Sequence, residues 1–393
     1  MASDPLSPAA PPRGFAQSEF EERTARAQRL MAEQRLDALL LTTEPELRYF
    51  SGFLSQFWES PTRPWFLVVP LEGRPIAVIP QIGAAGMAAT WIEDIRTWPA
   101  PEPEDEGISL LAGVFGETAK RFGRIGVPLG HETHLRMPAA DFAKLRDRLG
   151  NLEIADCTEI IRALRNIKSP AEIEKIRHVC QLTSRAFEAL PARARLGETE
   201  REVCRRLRLD LIARGADSAP YLIAASGPGG YDNIIMGPTD RVLERGDVLI
   251  IDVGATFDGY FCDFDRNFAF GSPSDEARRA HEVVFAATEA GIATARPGAT
   301  TSDLWAKMWA VLEAGGALGE TVGRLGHGLG MNLTEGPSHK PGDETPLQPG
   351  MVITIEPGME FAPGKLMVHE ENVVITEADA ELLTRRAPTE MPV

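Results

Sequence analysis

The stretch that most constrains this chain runs from Gly246 to Phe270, Gly-Asp-Val-Leu-Ile-Ile-Asp-Val-Gly-Ala-Thr-Phe-Asp-Gly-Tyr-Phe-Cys-Asp-Phe-Asp-Arg-Asn-Phe-Ala-Phe. It opens as a β-branched apolar run ending in Asp252 and Gly254, the pattern of a buried strand entering a turn. Asp258-Gly259 is a hairpin signal, and the returning strand, Tyr260 to Phe270, carries Asp263. Further along, Gly350-Met-Val-Ile-Thr-Ile-Glu-Pro-Gly358 repeats the same grammar: laying Gly246 on Gly350 puts Val248 on Val352, Ile251 on Ile355, Asp252 on Glu356 and Gly254 on Gly358. A turn-rich segment with Pro363 and Gly364 follows, then a strand from Leu366 to Thr376 that carries Glu370. The chain therefore contains one device twice, a hairpin with an acid on each arm.

Four carboxylates on buried strands repel one another and lose hydration unless they are protonated, hydrogen-bonded or neutralised by cations. A pair of divalent metal ions meets that need, and the oxygen-rich donor set favours Mn over Co, Fe or Zn. An imidazole to complete the set is offered by His327 in Gly326-His-Gly-Leu-Gly330, where glycines let the backbone crowd a site.

The order of elements sets the fold class. Residues 1–15, rich in Pro, Ala and Ser, are expected to form a flexible arm. Residues 16–160 alternate helical and strand patterns: a helix from Ser18 to Gln34, a strand from Ala38 to Thr42, and a hairpin from Trp65 to Pro80. Helices from Ile108 to Phe122 and Pro138 to Leu149 then alternate with strands from Arg124 to Val127 and Leu152 to Ala155, giving an α/β domain. From residue 161 onward a second domain begins, its first long helix announced by the capping box Ser169-Pro-Ala-Glu172 and the next by Thr199 with Glu202. The order helix, helix, hairpin, helix, helix, hairpin predicts an α+β two-domain protein whose C-terminal part is two ααββ halves sharing one sheet. The candidate metal site lies between the halves.

A length of 393 residues allows two domains, and the formal charge of −16 argues against nucleic acid or an anionic membrane as the main partner. Four cysteines without metal-knuckle spacing read as the reduced thiols of a cytoplasmic protein. No apolar run is long enough to span a membrane.

The His327 segment, the Gly350–Gly358 segment and the Asp252/Asp263 hairpin resemble the pita-bread metallohydrolases: methionine aminopeptidase, aminopeptidase P, prolidase and the metal-free relative creatinase. The resemblance covers roughly Ser169 to the end. The region before it is similar to the creatinase-type N-terminal domain of the prolidase branch, and Arg162-Ala-Leu-Arg-Asn-Ile-Lys168 to that branch's interdomain segment. The resemblance implies that Asp252, Asp263, His327, Glu356 and Glu370 bind two metals. Asp263 and Glu370 would bridge the ions, with Asp252 on one and His327 and Glu356 on the other. Glu356 would serve as general base, assisted by His327.

Three positions depart from the prolyl peptidases of the family. Thr334 stands where a histidine precedes Glu335, and no histidine occurs between His178 and His281, where those enzymes carry another. Asp265 replaces a Thr or Ser. His339 and Tyr231 are the candidates to replace the missing donors at the substrate, each weighed against an ordinary loop or packing role. Asp265 reads either as an acid orienting a ligand or as the partner of a neighbouring arginine. Phe57-Trp-Glu-Ser-Pro-Thr-Arg-Pro-Trp65 makes Trp58 and Arg63 candidates for gripping substrate, in relatives from a dimer partner's loop, against the alternative that these aromatics pack an interface.

The reading expected from these residues is a homodimeric, dinuclear hydrolase of an Xaa-Pro dipeptide or a related imino-acid or cyclic-amide metabolite. The alternatives are creatinase-like amidine hydrolysis, ectoine-type ring hydrolysis or a sulfonium-compound lyase on the same fold, and a non-catalytic binding module, which the intact ligand set disfavours.

Overall fold

The structure, a computed structural model, describes residues 9–319 and 323–393. Residues 1–8 of the expected arm lie outside the described residues. Near its other end Phe15 packs edge-on against Phe20 at 6.0 Å, and the Arg23 guanidinium lies 4.3 Å over the Phe15 ring. The chain divides into two compact units, Pro12–Arg165 and, for the remainder, Asn166–Val393.

The first unit is built on a six-stranded mixed sheet in the order Asp94–Trp98, Ile76–Pro80, Phe66–Pro70, Ala38–Leu41, Arg124–Val127, Glu153–Asp156. The Phe66–Pro70/Ile76–Pro80 hairpin is antiparallel, whereas Arg124–Val127 runs parallel to both its neighbours, as expected where helices make the crossovers. Leu39, Leu40, Val68 and Val78 are fully buried on the central strands. The start of Arg124–Val127 is fixed by Asp37, whose carboxylate accepts from the backbone amides of Arg121, Phe122, Gly123 and Arg124.

In the second unit both expected capping boxes form. Ser169 Oγ accepts from the Glu172 amide and starts the Pro170–Ala189 helix; Thr199 does the same for Glu200–Arg214. The later helices are Asp275–Thr294 and Thr301–Ala314, the latter capped by Thr300, whose side chain accepts from the Asp303 amide. Among the described residues no helix is long and apolar enough to cross a membrane.

The duplication is deeper than a pair of hairpins. Asp247–Phe257 lies between Phe264–Ala269 and a strand the sequence reading did not assign, Ser218–Pro228, all antiparallel. Val352–Ile355 likewise lies between Glu371–Ile375 and the two-residue His327–Gly328 strand. Each half therefore has two helices and a core of three strands, extended by Tyr260–Phe261 in the first sheet and by Glu335–Ser338 and Ala380–Leu382 in the second. The halves form separate sheets rather than the single sheet expected, and Met359 and Met367 pair in a further small ribbon. The ribbon is split from its sheet locally: Glu356-Pro357 and His369-Glu370 interrupt the ladder, and Pro357 has no amide to donate. Glu356 and Glu370 sit in these interruptions, where their side chains leave the regular alternation of the strands.

Candidate metal centre

His327 is the geometric anchor. Its Nδ1 lies 2.8 Å from the Gly328 carbonyl, an acceptor only, so Nδ1–H donates and Nε2 presents a lone pair. That Nε2 is 3.4 Å from Asp263 Oδ2 and 3.9 Å from Glu356 Oε2. One ligand atom from each of Asp263, His327 and Glu370 falls within 4.8 Å of the others. The flanking glycines permit this crowding. Gly326 has φ +134°, and a Cβ there would meet the Thr354 carbonyl and His339 Cδ2 at 2.4 Å; one on Gly328 would meet the Gly336 carbonyl at 1.9 Å.

The four acids of the two hairpins are mutual electrostatic neighbours. Burial pushes Asp252 far above the ordinary carboxylate range, and the charges of Asp263 and Glu356 push it further. Burial does the same to Glu370, reinforced by Glu356, Asp263, Asp252 and Asp265, and to Asp263, where the Arg324 guanidinium opposes the rise. Glu356 is pushed up to about 7, mainly by burial, with His327 and Arg324 holding it down. The duplicated acids and the imidazole thus converge.

Asp265 joins them. It pairs across the ladder with Asp252, it is 1% exposed, and neither carboxylate oxygen has a hydrogen-bond partner. The arginine partner considered for it does not form: Arg266 holds the Asp265 backbone carbonyl at 2.7 Å and directs its other nitrogen to Glu371 Oε2 at 2.9 Å.

The proposed substrate groups fare differently. Tyr231 is buried, and its hydroxyl donates to Asn267 Oδ1 and accepts from the Val368 amide, each at 2.8 Å, which ties the two halves together and uses the phenol within the protein. His339 is fully buried with Nε2 on the Thr354 carbonyl at 2.9 Å, and burial lowers its pKa to about 3; it is neither the solvated loop residue nor an open donor. Trp58 and Arg63 lie in the first unit, Trp58 with its ring 5.9 Å from that of Trp65 and Arg136 4.9 Å above it, Arg63 over Phe57 at 5.2 Å. Two groups near the acids were missed. Tyr221, on the unassigned strand, stands among the acids: burial first, then the charges of Asp252, Asp263, Glu370 and Glu356, keep its phenol protonated. Arg324 donates to the hydroxyls of Ser338 at 3.1 Å and Thr334 at 3.4 Å, so a cation stands beside the threonine that takes the absent histidine's place.

With this geometry in view, comparison with known proteins decides the family. A model described as metallopeptidase family M24 matches residues 174–377, and one for the creatinase/prolidase N-terminal domain matches residues 23–167. The chain belongs to metallopeptidase family M24. It is 29% identical over 381 residues to a probable dipeptidase, PepE, of Mycobacterium tuberculosis, covering 96% of this chain and 98% of that protein. An Xaa-Pro dipeptidase of Pyrococcus furiosus is 33% identical over 239 residues, 59% of this chain and 67% of the relative. Among solved structures, dipeptidase PepE from Mycobacterium ulcerans matches with TM-score 0.83 at 29% identity, covering 96% of this chain and 98% of that one. Prolidase from Thermococcus sibiricus matches with TM-score 0.85 at 25% identity, over 97% and 100% of the two chains.

As an M24 member the chain is a metallohydrolase, and the residues fit the divalent cations this implies. Asp252 Oδ1, Asp263 Oδ1 and Glu370 Oε1 are buried oxygens without hydrogen-bond partners, and an imidazole lone pair facing carboxylate oxygens is unfavourable until a cation lies between them.

Proposed function

We propose that this M24 enzyme is a dinuclear Xaa-Pro dipeptidase or aminopeptidase P-type hydrolase, with Asp252, Asp263, His327, Glu356 and Glu370 as its metal ligands. The observation that carries the reading is the convergence of Asp263, Glu356 and Glu370 on the His327 imidazole, with partnerless oxygens among the acids. Four oxygen donors to one nitrogen favour Mn over Co, Fe or Zn. When bound, such ions lower the pKa of a water and polarise the scissile carbonyl. The chain's own residues do the rest. Glu356 accepts a proton from the attacking water at a carboxylate oxygen and returns it to the departing nitrogen. His327, fixed by Gly328, keeps Nε2 turned toward the acids. Arg324, beside Thr334, meets the negative charge that develops where the family's two histidines are absent.

We further assign the enzyme to the cytoplasm as a homodimer, with Trp58 and Arg63 contacting substrate from the partner's loop. Four free, buried cysteines support the reducing compartment. The substitution of Thr334 for histidine favours one second reading, a non-peptide amide, amidine or sulfonium metabolite on the same site. Both readings are tested by assaying Mn-loaded protein, with Co, Fe and Zn forms alongside, on Xaa-Pro dipeptides, creatine, ectoine and sulfonium compounds. The leading reading expects Xaa-Pro turnover that Asp263→Ala abolishes together with metal uptake. No dipeptide turnover with any of the four metals, or an Asp263→Ala enzyme of normal rate, rejects it.

A further inference from the structure

The two acids assigned as bridging, Asp263 and Glu370, come from different halves of the molecule, each one residue before a strand of a different sheet. Their side chains can hold a fixed spacing only if the two backbones are locked to each other, and no shared ladder does this at either residue. Side chains do. Asn372, two residues beyond Glu370 and fully buried, brackets the Asp263 peptide: its Oδ1 accepts from the Asp263 amide at 3.0 Å, and its Nδ2 donates to the Asp263 carbonyl. The amide orientation follows from these partners, and the Cys180 thiol, 3.4 Å from Oδ1, agrees with it. In the opposite direction Arg266, three residues beyond Asp263, donates from Nη1 to the Glu370 carbonyl at 2.8 Å. The same guanidinium is held by the carbonyls of Asp265 and Arg385 and by Glu371 Oε2. Glu371 is itself fully buried and braced by Arg386 at 2.9 Å and by Thr384.

From this arrangement we infer that Asn372 and Arg266 form a reciprocal latch: each half uses a side chain to grip the backbone of the other half's bridging acid, and the latch sets the carboxylate spacing on which cation affinity depends. Both are positioning residues, since each side chain is spent on the other half's backbone. The inference rests on the assignment of Asp263 and Glu370 as ligands. Groups that orient ligands in this way typically account for about 10- to 100-fold in metal affinity.

The test measures Mn2+ affinity and stoichiometry by calorimetry on the full chain, stripped and reloaded, with melting temperature recorded in parallel. The variants are Asn372→Ala and, as a packing control, Val374→Ala, which removes buried apolar volume two residues along the same strand. The latch predicts Mn2+ binding about 10- to 100-fold weaker in Asn372→Ala, with little change in Val374→Ala even where both lower the melting temperature. Wild-type affinity in Asn372→Ala, or an equal loss in Val374→Ala, overturns the latch alone. A wild-type chain that takes up no Mn2+ overturns the ligand assignment with it. Should Asn372→Ala fail to fold, Arg266→Lys decides on the same criteria, because it keeps a charge beside Glu371 while losing the fork that reaches the Glu370 carbonyl.

Discussion

The turn of the first acidic hairpin is held by a buried ion pair, and breaking it gives a measurable stability prediction. Lys175 Nζ, on the Pro170–Ala189 helix, lies 2.8 Å from Asp258 Oδ2, with the two side chains 2% and 7% exposed. Asp258 has φ +48°, the left-handed conformation of the Asp258-Gly259 turn, and its amide donates to Asp217 Oδ2 at 2.7 Å, so a second carboxylate is already close. Lys175→Met keeps most of the side-chain volume but strips the compensating cation from a buried acid. Losing one partner of such a pair costs about 3–5 kcal/mol, a large share of the roughly 5–15 kcal/mol that keeps a protein folded. Lys175→Met with Asp258→Asn should recover most of the loss, since the buried Asp258 charge is removed with its partner. Urea unfolding of the metal-loaded single and double variants at neutral pH completes the cycle. A single variant that loses less than about 1 kcal/mol, the range of an exposed pair, or a double variant as unstable as the single, refutes the reasoning.

Two further predictions follow from the same packing. Gly326→Ala should lose both stability and metal uptake, because its Cβ would meet the Thr354 carbonyl at 2.4 Å in the segment that delivers His327; a folded, metal-replete variant would show that the strand can yield. His281, 4% exposed, is held down to about 4 by burial, then by Arg386 and Arg266. Its unfolded form takes up a proton below its ordinary value of 6.5, so it withdraws stability as pH falls from there toward 4. His281→Phe should flatten the drop in melting temperature between pH 7 and pH 4.5, and a variant as acid-sensitive as wild type would contradict this.

Local rules made much of the molecule legible in advance. Ser169 and Thr199 announce their helices because a capping box needs only neighbouring residues, and Asp258-Gly259 marks its hairpin because the turn demands positive φ. The duplication carried long-range information within a single chain, and Asp263 and Glu370, one from each copy, lie within reach of one imidazole. What failed to show was set by tertiary context. Ser218–Pro228 contains Pro220, Gly227 and Pro228 and reads as a loop, yet it lies at the margin of its sheet, where missing amides are tolerated. Its Tyr221 was lost with it. The two-residue strand at His327 has no pattern to detect. Tyr231 was mistaken for an available hydroxyl because nothing in Gly230-Tyr231-Asp232 reveals that Asn267 and the Val368 amide will meet it.

The latch residues join positions 109 and 104 apart along the chain. Contacts of that reach are the last to be rewarded during folding, because a long loop must close first. A cage assembled this way comes together late, so its donors are complete only in a chain that has already closed the loops around them.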